Sequence, residues 1–324
     1  MLRYAAERFL WLIPTVLAMA LIVFIVMHAT PGSPLDPAAL NANPLTKAAI
    51  EAMERKYGLD RPLHEQFVLY LWNAVRLDFG ISYQYKDREV REIIASTFPI
   101  SLTLGFFALM VATFFGLLLG ILAAVRQNTW IDYLASTLSM LTVSTPNFVL
   151  GILLIVVVAL KLNWLPIAMT ASRDVFDAFN PAYWSENWKY WVLPTIVLSL
   201  NGLATIARYT RASMLDVIRS DFVRTARAKG LLEGAVIMKH VLKNALIPVV
   251  TIIGPLFAAI GTGTFVVESL FSVPGMGKFF VTSMSGRDYN MIMAVILIYG
   301  VFLAVMNILV DLIYGFLDPR IRYN

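Results

Sequence analysis

The groups in this 324-residue sequence able to do chemistry are few: three histidines, no cysteine, and a run of hydroxyl and amide side chains before and after Pro146. His28, His64 and His240 are scattered. HEQFV at His64 opens like a zinc-protease helix but places Val68 where the second histidine belongs. Without cysteine there is no disulfide, thiolate ligand or thiol nucleophile. PGMGKF resembles a phosphate loop, yet Ser272 stands in place of its first glycine and Phe279 in place of the magnesium-binding hydroxyl. The chain is therefore expected to hold no metal and no cofactor and to be no enzyme.

The remaining polar residues form stripes. Ser136, Thr137, Ser139, Thr142, Ser144, Thr145 and Asn147 crowd one apolar stretch, and Asn201, Thr205 and Arg208 recur four and three apart in another. In lipid such groups either bond helix to helix or line water. The reading preferred here is a solute path between Ser139, Thr142, Ser144 and Asn147 on one side and Asn201, Thr205 and Arg208 on the other; interhelical bonding alone is the alternative.

What must position these stripes is legible in the charges. Hydrophobic residues make up 59% and charged residues 15% of the sequence, with a mean hydropathy of +0.71. Asp, Glu, Lys and Arg are absent from 9–35, 93–125, 133–160, 190–207, 244–267 and 289–310. Each window approaches or exceeds the roughly 20 residues that a helix needs to cross the hydrocarbon core. Backbone groups cannot go unpaired in lipid, so each window is predicted to be a helix. The fold class is an all-α polytopic membrane protein with six transmembrane helices.

Orientation follows from the basic residues. Between Arg208 and Lys243 there are eight Lys or Arg against three Asp or Glu, which places that loop inside. Six spans then put both termini, with Arg3, Arg8, Arg320 and Arg322, and the Arg126 turn on the cytoplasmic side. The outer segment within 31–99 carries two amphipathic helices, with Ile50, Met53 and Tyr57, then Phe67, Tyr70, Leu71 and Ala74, at helical spacing. Trp164, Trp184, Trp188 and Trp191 are expected as interface anchors of a second outer loop. Gly116, Gly120 and Ala124 offer a small-residue face for a neighbouring helix, and Asn307 and Asp311 share a face of the last span.

One segment stands apart. DFVRTARAKGLLEGAVIMKHVLKN, from Asp221 to Asn244, is cationic and punctuated by glycine. Asp221 is placed to cap a short helix stopped at Gly230, with Arg224, Arg227 and Leu231 on one face and Phe222, Ala226 and Lys229 on another. Anionic headgroups account for the charge. They do not account for the small residues Thr225, Ala226, Ala228 and Gly230, which permit close approach of another surface.

RTARAKG, nine residues, then HVLKN resembles the cytoplasmic EAA loop by which ABC importer permeases dock on their ATPase, with Arg224 at the position of the usual Glu and Gly230 at that of the glycine. The form is similar to the B-type subunit of the dipeptide and oligopeptide branch, as are KYGLDRPLHEQF, DFGIS, STPNF, VESLFSVPGMG and NILVDLIYGFLDPRIRY, so the likeness runs along nearly the whole chain. Asn290 in RDYN departs from the proline expected there.

The resemblance implies a single MetI-like permease domain over 1–324, with a coupling loop at 212–243. Phe222, Arg224, Thr225, Ala226, Arg227, Ala228, Lys229, Gly230 and Leu231 would engage the ATPase, and His240, Leu242 and Asn244 would brace them. It implies a second, homologous permease subunit, two ATPase subunits that bind ATP and Mg, and an extracytoplasmic solute-binding protein. Membrane lipids are expected partners and nucleic acid is not. Di- and oligopeptides are the implied cargo, with nickel chelates, glutathione or oligosaccharides as alternatives, in a bacterial or archaeal plasma membrane. A self-sufficient secondary transporter is the competing class, but no window has a central acid or base for it to use.

Overall fold

The computed structural model describes residues 2–34, 47–85, 88–169, 176–177 and 180–317. Helix α1 is Leu2–Ala29, α2 Lys47–Tyr57, α3 Leu63–Val75, α4 Val90–Val125 and α5 Trp130–Ser144. After α5 come α6, Asn147–Leu154, continuing in π-helical form through Ile155–Lys161, and α7, Pro181–Ile218. The short α8 is Asp221–Ala228; Glu233–Ala235 and a π-helical stretch, Val236–Leu242, lead into α9, Lys243–Leu270. Helices α10, Met276–Ser285, and α11, Tyr289–Leu317, complete the order. The carboxyl-terminal DPRIRY lies outside the described residues, as does the side chain of Asp311.

Five helices are long and apolar enough to cross a membrane, and a sixth span results if α5 and α6 are taken together. That third span is not the single rod its charge-free window suggests. Thr145, forced out of the helical region by the proline that follows, is extended at φ −104°, ψ 126°, and the two halves diverge by 108°. At 36 and 38 residues, α4 and α7 measure about 54 and 57 Å at 1.5 Å per residue, well beyond a hydrocarbon core of about 30 Å. Both therefore project past the bilayer.

These two helices make the most extensive contact among the described elements, and the glycines let them approach closely. A Cβ on Gly120 would stand 2.6 Å from the Ala207 carbonyl oxygen, and one on Gly116 would stand 2.9 Å from that of Leu203. The small-residue face of α4 is thus where α7 lies against it.

Helices α2 and α3 form where the apolar spacing predicts and lean on the bundle. Phe67 meets Phe24 of α1 at 5.2 Å between ring centres, while Tyr70 and Ala74 join Phe79, Val90 and Met291. Asp288 anchors the segment before α4 to the start of α11: it accepts from the Ser82 hydroxyl and from the amides of Gln84 and Met291. Asn290 Nδ2 donates to the Ile81 carbonyl at 2.9 Å, a tie that a proline could not make. Beneath the glycine-rich turn, Glu268 and Phe271 are fully buried, and Glu268 receives the Gly277 amide at 2.7 Å.

The tryptophans divide. Trp164 and Trp188 are exposed, as interface anchors should be. Trp184 and Trp191 instead pack with Phe107, Phe176 and Tyr183, and the Trp191 indole donates to the Tyr183 hydroxyl at 3.2 Å. Burying a ring with its N–H satisfied outweighs an interfacial position.

Candidate functional site

Helix α8 is eight residues long, too short to persist alone in water. Two side chains hold it. Val223 and Ala226, three apart, point into a cluster with Ala124 of α4, Met214 of α7, Val236 and Val241 of the π-helical stretch and Ala245 of α9. The module thus gathers the ends of three spans around one small helix.

Everything else on α8 faces outward. Phe222, Arg224, Thr225, Arg227, Ala228, Lys229, Gly230 and Leu231 are exposed, and beyond them Leu232 is 83% exposed. Ala226 therefore serves as an anchor rather than as part of the presented face, and it does not share exposure with Phe222 and Lys229. Ser220, not Asp221, occupies the cap position, and its hydroxyl turns back to the Val217 carbonyl. Asp221 is the first helical residue; there its charge suits the helix dipole and meets Arg224 at 3.3 Å.

The stop at Gly230 is conformational. Its φ is +74°, and a Cβ built there would meet nothing within 4 Å. The chain itself leaves that space open. Arg227 reaches across the turn to grip Glu233 through two bonds, at 3.1 and 2.6 Å, fixing the angle at which α8 gives way to the next helix. His240 is half-buried outside the cluster, and Asn244 bonds the His240 carbonyl within its own helix, so the bracing falls to Val236, Val241 and Ala245, with Leu242 at the margin.

The polar stripes meet at two points. Asn201 Nδ2 donates to Asn147 Oδ1 at 2.8 Å across α7 and α6, leaving Asn201 Oδ1 buried without a partner. Ser139, Ala207 and Arg208 border a cavity of about 10 Å³. Thr142 and Thr205 satisfy their hydroxyls on their own helices, at the carbonyls of Leu138 and Asn201. Ser144 and Arg208 face outward. Within one chain the two stripes enclose no channel.

Sequence reasoning passed over Asp132 and Arg211. Arg211 Nε lies 2.5 Å from Asp132 Oδ1 and Nη2 lies 2.8 Å from Oδ2, with the Asp132 side chain 3% exposed. An acid just before one charge-free window and a base just after another were signals in plain view. Val223 was missed too, although its spacing from Ala226 is helical.

Residues 116–323 match the family described as binding-protein-dependent transport system inner membrane component. The chain belongs to this permease family. It is 42% identical over 324 residues to the dipeptide transport system permease protein of Bacillus subtilis strain 168, covering 100% of this chain and 99% of that one. It is 41% identical to the glutathione transport system permease protein of Escherichia coli strain K12 and 39% identical to the oligopeptide transport system permease protein of Haemophilus influenzae, covering 100% of both chains in each case.

A chain in the crystal structure of an amino acid ABC transporter with histidines shares the fold, with a TM-score of 0.52 at 18% identity over 69% of this permease and 93% of that chain. The permease is thus a multi-pass, non-catalytic membrane subunit of an ABC importer, and its family implies an ATPase and a solute-binding protein as partners.

Proposed function

We propose that this permease passes di- or oligopeptides across the plasma membrane of a bacterium or archaeon, and that α8 is the element through which ATPase closure drives it. What carries the second part is the contrast within α8. Two side chains are sunk in the bundle while the rest stands exposed, so a push on the outer face cannot be absorbed by the helix sliding against its support. In this reading 212–243 is the cytoplasmic coupling loop and 31–99 the extracytoplasmic segment of one permease domain spanning 1–324.

The dipeptide, oligopeptide and glutathione systems named among its relatives support a peptide cargo. The exposure of Ser144 and Arg208 supports a path completed by a second permease subunit, most simply a homologous partner in a heterodimer. Two ATPase subunits, which hold the ATP and Mg, and one extracytoplasmic solute-binding protein complete the assembly.

The test uses the open space at Gly230. Asn tolerates a left-handed φ, so Gly230→Asn should preserve the turn, whereas Gly230→Trp strains the positive φ and adds bulk that meets nothing within this chain. Both variants are expected to insert. Only the tryptophan variant should lose the ATPase on co-purification and lose uptake; retention of both by Gly230→Trp removes α8 from the coupling role.

A further inference from the structure

A cavity of about 280 Å³ opens where the end of α1, helices α2 and α3, the segment before α4 and the start of α11 meet. Those beside Tyr299 and beside Ser139 hold about 10 Å³ each. None of its lining residues belongs to the polar stripes or to α8, so it is a site apart from both. A cavity of about 150 Å³ lined by apolar side chains accepts benzene; this one has room for a ring and an amino-acid backbone beside it, and is too small for an oligopeptide.

Its walls suit such a ring. Phe24, Tyr57, Tyr70, Phe79, Tyr83 and Tyr289 all line it, and Tyr57 meets Tyr83 at 4.7 Å between ring centres, closing α2 onto the segment before α4. Rings so gathered offer both faces and edges to a planar guest.

Its polar groups are left open. The Tyr70 hydroxyl is buried without a partner among the described residues, a costly state that a ligand oxygen would relieve. His28 donates Nδ1–H to the Phe24 carbonyl at 2.9 Å, which leaves Nε2 free. At the exposed mouth stand one cation and one anion, Lys56 and Asp78, and neither is in an ion pair. Asp78 spends one oxygen on the Gly80 amide, at 3.0 Å, and keeps the other. Two opposite charges without partners at the rim of an aromatic cavity match a guest that carries both signs and a ring.

We propose that this cavity binds a zwitterionic amino acid or dipeptide with an aromatic side chain, its carboxylate met by Lys56 and the Tyr70 hydroxyl, its ammonium by Asp78, and its ring held among the aromatic walls. The ligand class follows from the lining of the cavity and is independent of the cargo.

Equilibrium dialysis of labelled alanyl-phenylalanine against the purified full-length permease tests it. Binding should saturate and be competed by phenylalanine. Phenethylamine, which lacks the carboxylate, phenylpropionate, which lacks the ammonium, and alanyl-alanine, which lacks the ring, should each compete far more weakly. Tyr70→Phe should weaken binding by roughly ten-fold, the effect of losing one hydrogen bond to a charged group. Because that hydroxyl has no partner within the chain, the same variant should leave the thermal unfolding midpoint unchanged or raised, which a merely structural tyrosine would not do. Lys56→Gln, at an exposed residue, should also weaken binding and serves if Tyr70→Phe does not fold. No saturable binding by the wild type, equal competition by the three truncated compounds, or full affinity in either variant overturns the site. Neither transport nor an ATPase enters the measurement, so its outcome is separate from that of the cargo and coupling readings above.

Discussion

Val223 offers the sharpest test of how α8 is held. It is fully buried, and Val223→Ala removes two methyl groups, about 1.6 kcal/mol of transfer free energy at roughly 0.8 per carbon, with a cavity contribution that brings the cost to about 2 kcal/mol. An isolated eight-residue helix has almost no stability of its own, so this loss falls directly on its docking. At RT of about 0.59 kcal/mol, 2 kcal/mol corresponds to a roughly 30-fold rise in the population of the opened segment. Hydrogen exchange at the amides of Arg224 to Ala228 in the detergent-solubilised permease would read that increase. Phe222→Ala is the matched control, because Phe222 is 47% exposed and contributes little to docking. It should leave exchange nearly unchanged yet weaken ATPase association. Equal exchange in both variants, or none in Val223→Ala, would refute the division of α8 into an anchored and a presented face.

At the α4–α7 contact, Gly120→Val should lower the thermal unfolding midpoint of the purified permease by overpacking worth about 1–3 kcal/mol; an unchanged midpoint would mean that the Ala207 carbonyl is not against the glycine. Asn147→Leu and Asn201→Leu should each cost about 1–3 kcal/mol by stranding the other amide, and the double variant less than their sum; simple additivity in a double-mutant cycle would contradict the bond. Burial pushes Asp288 above the usual carboxylate range, against the opposing bonds from Ser82 and neighbouring amides. The folded state then binds this proton more tightly than the unfolded chain, so its contribution is fully present below the ordinary Asp value and declines as pH rises through the raised one. Protection of the amides of Gln84 and Met291, corrected for the base-catalysed rise of intrinsic exchange, should accordingly fall as pH rises above the ordinary carboxylate range, and a flat protection profile would show that the bonds outweigh burial.

Local composition and spacing alone were enough to place six apolar windows, the two amphipathic helices α2 and α3, the small-residue face of α4 and the glycine stop of α8. Each follows from a rule that acts over a few neighbouring residues: the length of the hydrocarbon core, helical spacing, or the freedom of glycine at positive φ. The polarity of the third window was equally plain, but not that Pro146 turns it through 108°. A proline within a helix can produce anything from a slight kink to a full break, and the choice lies with what the flanking halves pack against.

Only the tertiary structure decided which side of α8 is anchored, since Phe222 and Val223 are both apolar and nothing local distinguishes them until Met214 and Val241 arrive. It also decided that Trp191 is core rather than interface, and that Asp132 and Arg211 are one feature rather than two. Pairing across 79 residues is a property of how helices are stacked, and stacking depends on the summed shape of many side chains, which no short stretch of sequence contains.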